Sequence, residues 1–173
     1  MKQAWKWAAL VAASALILLL GLYMNDTFGV SAAGLERDAR GGGRIDEDWQ
    51  AAQASTDSIA GLLFYSGDLS ESAFSIYIRR GGLSFGYFFR LGGCLSAVDE
   101  GIAGFSMPGT DRVFLSMNRA GVSRMEVDGA SGVETVAVDS TKPFALAVPA
   151  AAGVVSFYDG AGNGVEWSRI DRL

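Results

Sequence analysis

The stretch FSIYIRRGGLSFGYFFR, residues 74–90, contains two β-type runs on either side of Gly81-Gly82. Aromatic and β-branched residues suit a pleated, half-buried surface, and paired glycines accept the positive φ of a two-residue primed turn. The expected register sets Arg80 opposite Leu83, Ile78 opposite Phe85, Ile76 opposite Tyr87 and Phe74 opposite Phe89, with this face toward the core. The other face would carry Tyr77 opposite Gly86, Ser75 opposite Phe88, Arg79 opposite Ser84 and Ala73 opposite Arg90. Aromatic rings beside guanidinium groups are the chemistry enriched at interface hot spots, so Tyr77, Arg79, Phe88 and Arg90 are the candidate binding residues. The competing reading is structural: a loop, or the segment around Trp49, covers these rings.

The same texture of short β runs between glycine-rich turns extends outward in both directions. Strands are expected at Ile59–Ser66, Ala73–Arg80, Leu83–Leu91, Arg112–Asn118, Val122–Val127, Glu134–Val138, Pro143–Pro149, Gly153–Tyr158 and Val165–Ile170. Eight or nine strands of this spacing imply a mainly β domain, an antiparallel sandwich or barrel-like fold over residues 46–173. The last two runs flank DGAGNG and read as a hairpin. DEDWQAAQAS, residues 46–55, reads instead as a short helix, with acids in its first turn and alanines inside. Residues 25–45 contain GLERDARGGGR, which offers little to pack, and read as a flexible tether of about 25 Å root-mean-square span.

Ahead of the tether, Trp7 to Met24 carries neither charge nor proline. As a helix it would extend roughly 27 Å, close to the thickness of a bilayer's hydrocarbon core. Lys2 and Lys6 precede it and Asp26 follows, so residues 1–6 are expected in the cytoplasm and the rest beyond the membrane. Trp5, Trp7 and Tyr23 stand near the two ends, where amphipathic rings favour headgroups. The partner of this segment is therefore the lipid bilayer. The alternative is a secreted domain, released by signal peptidase after Ala32 or Ala33, although that site lies far from the apolar run.

Beyond Lys6 there are 12 basic residues against 19 acidic ones, a net charge of −7 that repels nucleic acid. The single cysteine, Cys94, excludes an intrachain disulfide and reads as a small buried hydrophobe; LGGC at residues 91–94 imitates a lipobox by chance. With no histidine in the chain, Ser-His-Asp hydrolysis, Cys-His proteolysis and His-ligated zinc are out of reach for the chain alone. No phosphate or dinucleotide fingerprint occurs, so no cofactor is expected, and no metal either. DGAGNG departs from a calcium loop, with Ala161 at its third position and Ile170 at its twelfth. Ser140-Thr141-Lys142 reads as a turn before Pro143, and Glu126 and Asp128 as two acids on one strand face.

An anchor, a tether and a β domain ending in an FYD-G-GN hairpin make an architecture similar to that of many bacterial envelope proteins. The expectation is a non-enzymatic, single-pass protein whose extracytoplasmic domain binds another envelope protein or a wall component. The alternative is a hydrolase acting on cell-wall material through paired carboxylates.

Overall fold

The computed structural model describes residues 2–24, 27–82, 84–106, 111–130 and 132–170. Among these, helix α1 (Lys2–Met24) leads into a short 3-10 turn at Ala32–Gly34 and a second helix, α2 (Leu35–Gly43). Strands β1 (Gln50–Ser55), β2 (Ile59–Tyr65), β3 (Ser72–Ile78) and β4 (Phe88–Gly93) form one antiparallel sheet in the order of the chain. A one-turn helix, α3 (Ser96–Asp99), precedes β5 (Ala103–Ser106), β6 (Arg112–Ser116), β7 (Val122–Gly129), β8 (Gly132–Ala137) and β9 (Phe144–Val148). Finally come β10 (Val154–Asp159), β11 (Gly164–Val165) and β12 (Ser168–Ile170).

Sheet order explains the layering. The second sheet runs β12-β5-β6-β9, with β12 parallel to β5, and the third runs β11-β10-β7-β8. On β6, Val113 and Leu115 point into a core shared with Ile59, Leu63, Phe74 and Ile76 of the first sheet. Phe114, between them in sequence, points the other way, into a core with Met125, Val127, Val155 and Phe157 of the third. Alternation of side chains along a strand thus makes β5-β6-β9-β12 the middle layer. A third cluster covers the outer face of the first sheet: Ala60, Leu62, Phe64 and Tyr77 pack under Leu35 and Ala39 of α2. β2 is therefore buried throughout, on both faces.

The protein is mainly β, and among the described residues none of the three sheets closes into a barrel. The barrel-like alternative is corrected: apolar residues on both faces of β2 and β6 are satisfied by stacking sheets and helix rather than by rolling one sheet up.

Two segments ahead of β2 differ from expectation, and the expected strand Val165–Ile170 divides into β11 and β12 of different sheets. Residues 50–55 are strand, not helix, because the turn Thr56–Ser58 lets them zip onto β2, and Ala52 and Ala54 then alternate inward. Tertiary pairing outweighs alanine's helix propensity here. Within residues 25–45, expected as a tether, α2 buries Leu35 and Ala39, spaced four residues apart on one helix face. Arg40 secures the chain as it leaves this helix: it pairs with Glu36 (2.8 Å), donates to the carbonyls of Asp46 (2.8 Å) and Trp49 (2.9 Å), and lies 5.0 Å over the Phe64 ring. Arg44, in a left-handed conformation, ends the helix.

Helix α1 is 23 residues long. Among the described residues no helix is long and apolar enough to cross a membrane; the stretch expected to do so, 7–24, includes Ala9, Leu22, Tyr23 and Met24, whose side chains lie outside the described residues, as does Asp26.

Candidate functional site

Between Ile78 and Phe88 the chain does not make the tight hairpin its glycines suggest. Pairing of β3 with β4 sets Ile78 opposite Phe88, Tyr77 opposite Phe89, Ile76 opposite Leu91 and Phe74 opposite Gly93. Arg90 is the extra residue of a β-bulge between Phe89 and Leu91. The expected pairing of Arg80 with Leu83 lies outside the described residues. Gly82 and Gly86 do adopt positive φ (82° and 88°), within a wide loop rather than a two-residue turn. The reason is a competing partner: Thr27–Val30 pairs with Phe85–Tyr87 and draws that segment away from β3.

The four residues proposed from sequence therefore separate. Tyr77 is 1% exposed, beneath α2, and its hydroxyl donates to Asp38 Oδ2 at 2.7 Å. Burial, and then the hydrogen bond and charge of Asp38, push its pKa above the usual phenol value. Phe88 is 9% exposed and carries the Arg80 guanidinium over its ring at 4.2 Å. Arg79 and Arg90 are exposed, Arg79 lying 5.8 Å over Tyr87. The covering of Tyr77 comes from α2, a segment with little apolar content; its signal was the Leu35/Ala39 spacing with a Glu36–Arg40 pair.

What the fold does build beside Tyr77 is a groove of about 480 Å³ between α2 and the outer face of β3–β4. Its floor is made of small residues, Ala73, Ser75 and Gly92; Asp38, Ala39 and Gly42 form one wall, and Phe89, 58% exposed, stands on the other side. Ser75 is 4% exposed, and among the described residues its hydroxyl makes no hydrogen bond. No fully buried side-chain polar atom lacks a partner there, so this hydroxyl keeps its small access through the groove. One O–H donor and two acceptor lone pairs are thus open to a segment lying in it. At the end of the groove Cys94 is exposed, its thiol donating to the Ser72 carbonyl at 3.2 Å. This corrects the expectation of a buried cysteine: Gly92 and Gly93 before it leave the end of β4 uncovered. β4 is also the edge of its sheet, and its outer side forms no ladder among the described residues.

The acids lie elsewhere. Glu126 and Asp128 do sit on the outward face of β7, where Arg124 clamps Glu126 at 2.8 Å and stacks on Tyr158. Asp57 and Asp111 line a second, shallow depression with Thr56 and Tyr87. Hydrogen bonds from Thr56, Ala150 and Ser58 hold the Asp111 carboxyl below its ordinary pKa. A glycosidase acid needs the opposite shift. In DGAGNG, Asp159 accepts from the backbone N–H groups of Ala161 (2.9 Å) and Asn163 (2.8 Å), so its carboxylate closes its own turn. Lys142 pairs with Asp139 (3.1 Å) in the turn before β9. Among the described residues no cluster of three or more metal-ligating side chains occurs.

No protein-family model matches the chain, and no curated protein or solved structure matches it either.

Proposed function

We propose that this is a membrane-anchored binding module, held outside the cytoplasm, whose groove between α2 and β3–β4 receives an extended apolar segment of another envelope protein. The observation that carries the reading is the groove itself: a small-residue floor, a largely apolar lining with Asp38 on one wall, a Ser75 hydroxyl without a partner among the described residues, and the open edge of β4 alongside. An added strand would supply backbone hydrogen bonds to that edge, and its side chains would occupy the groove.

Anchoring is supported by α1. Its consecutive residues Leu16 to Leu20 are each 55–71% exposed, so apolar surface encircles the helix rather than forming one stripe. Such a helix needs lipid or protein around it on every side. Retention of the segment is supported by Thr27–Val30, which is hydrogen-bonded into the domain; cleavage after Ala32 or Ala33 would remove it. The hydrolase alternative finds no comparable support: Glu126 is clamped by Arg124, Asp159 closes its own turn and the Asp111 carboxyl is lowered in pKa.

The test uses a photocrosslinking residue at Phe89, with Val154 on the third sheet as the control position, in membranes carrying the full chain. A discrete crosslinked partner from position 89 alone is expected. Gly42→Trp should abolish it, because the new side chain meets no atom of the fold at its Cβ and projects over the groove. Equal crosslinking from both positions, or indifference to Gly42→Trp, would refute the assignment.

A further inference from the structure

The described residues 79–82 and 84–87, where the chain abandons the tight hairpin, hold a second feature that the groove does not use. We propose that stacked Phe28 and Phe85, with Arg79 and Arg80, form a lipid-contacting foot that seats in the phospholipid headgroup layer where α1 leaves the membrane. The proposal rests on the anchor reading.

Chain geometry leaves little freedom. α1 ends at Met24, and Thr27 comes three residues later, so it lies within about 11 Å of the helix end whatever path the chain takes. Thr27–Val30 is then zipped to the loop by four backbone hydrogen bonds: Phe85 N–H to Thr27 O (2.8 Å), Gly29 N–H to Phe85 O (2.6 Å), Val30 N–H to Tyr87 O (2.8 Å) and Tyr87 N–H to Val30 O (2.8 Å). Two glycines permit this approach. A Cβ on Gly29 would sit 2.4 Å from the Tyr87 carbonyl oxygen, and one on Gly86, at φ +88°, would sit 2.7 Å from the Val30 carbonyl oxygen. A spanning α1 therefore carries the loop to the membrane surface with it.

The chemistry presented there suits that place. Phe28 and Phe85 are 52% and 55% exposed, stacked with centroids 5.9 Å apart and planes 20° from parallel. Arg79 and Arg80 are exposed, and among the described residues neither pairs with a carboxylate. Rings that enter the acyl boundary while guanidinium groups reach phosphate describe an interfacial contact. The remainder of the domain is acidic and repelled by an anionic surface, so the foot would also fix which side faces the lipid.

The experiment reconstitutes the full chain in vesicles of phosphatidylethanolamine and phosphatidylglycerol, some carrying a headgroup-depth nitroxide quencher. A fluorophore is placed on Gly81→Cys, or on Gly160→Cys in the β10–β11 turn of the third sheet, both in a Cys94→Ser background. Neither glycine has positive φ or a crowded Cβ. Flotation with the vesicles reports the anchor independently. Quenching of the label at 81 by about twofold or more, with little change at 160, is the expected result for a shallowly seated foot. Phe28→Ser with Phe85→Ser, and separately Arg79→Gln with Arg80→Gln, should each lower the quenching at 81 without affecting flotation. Flotation with equally weak quenching at 81 and 160 would overturn the foot and leave the anchor standing. Failure to float would overturn both.

Discussion

Replacing Tyr77 by alanine removes a ring that is 1% exposed and sits among Leu35, Ala39, Leu62 and Phe64. Aromatic-to-alanine changes in such sites cost about 3–5 kcal/mol, because the neighbours collapse only partly into the space. Tyr77→Phe deletes only the hydrogen bond to Asp38, and Asp38 is itself exposed and rehydrates. The expected cost is then near the low end for a hydrogen bond, about 0.5–1 kcal/mol. Against a total stability on the order of 5–15 kcal/mol the alanine change is large. Urea titration of the full chain in detergent micelles separates the two. For a slope of about 2 kcal/mol/M, Tyr77→Ala should lower the midpoint by roughly 2 M and Tyr77→Phe by under about 0.5 M, with the slope unchanged. Asp38→Ala leaves the buried Tyr77 hydroxyl without its acceptor and should cost more, about 1–3 kcal/mol, whereas the double variant should fall back toward Tyr77→Phe alone. Near-equal, small losses for Tyr77→Ala and Tyr77→Phe would refute the placement of this ring in the core.

Close approach of the first two sheets depends on Gly61, where an added Cβ would meet Val113 Cγ1 at 2.3 Å. Gly61→Ala should cost about 1–3 kcal/mol by overpacking, and Val113→Ala, destabilising alone, should relieve part of it; additive losses across the four proteins would contradict the contact. Asp68 and Asp139 accept hydrogen bonds chiefly from Ser66 and Ser70 and from Thr141, which hold their carboxyls at about 2 against an ordinary 3.8. Because the folded values are depressed, their contribution is present above pH ~4 and is lost as pH falls toward 2. Thermal melts between pH 5 and 2 should show an acid limb that Asp68→Asn with Asp139→Asn flattens; an unchanged limb would place the acid sensitivity elsewhere.

Much of this architecture is written locally. The continuous apolar run from Ile59 to Tyr65, the alternation from Met125 to Asp128 and the β-branched, glycine-bounded runs fixed strands because burial and pleat impose a period on the sequence itself. The apolar, uncharged run ahead of Met24 is legible for the same reason, as is the turn at DGAGNG, where Asp159 bonds to its own backbone. Other features were not local. Gln50–Ser55 has helix-forming composition and became strand because β2 offered a ladder. The Phe74–Arg90 register was decided by Thr27–Val30, some fifty residues away, which pairs with Phe85–Tyr87 and leaves Arg90 as a bulge. Leu35 and Ala39, two small contributions in a polar stretch, became the lid over Tyr77 only once the sheet supplied a surface to cover.

By itself the sequence determined the β character of the domain, its acidic charge, and the exclusion of histidine and disulfide chemistry, since these come from side-chain identity and near-neighbour periodicity. Which strands are neighbours, which face of the first sheet α2 covers, where the groove opens and which rings remain exposed were decided only by tertiary structure. Each of those is a competition between distant segments for the same backbone edge or apolar face, and no local window of residues contains both competitors.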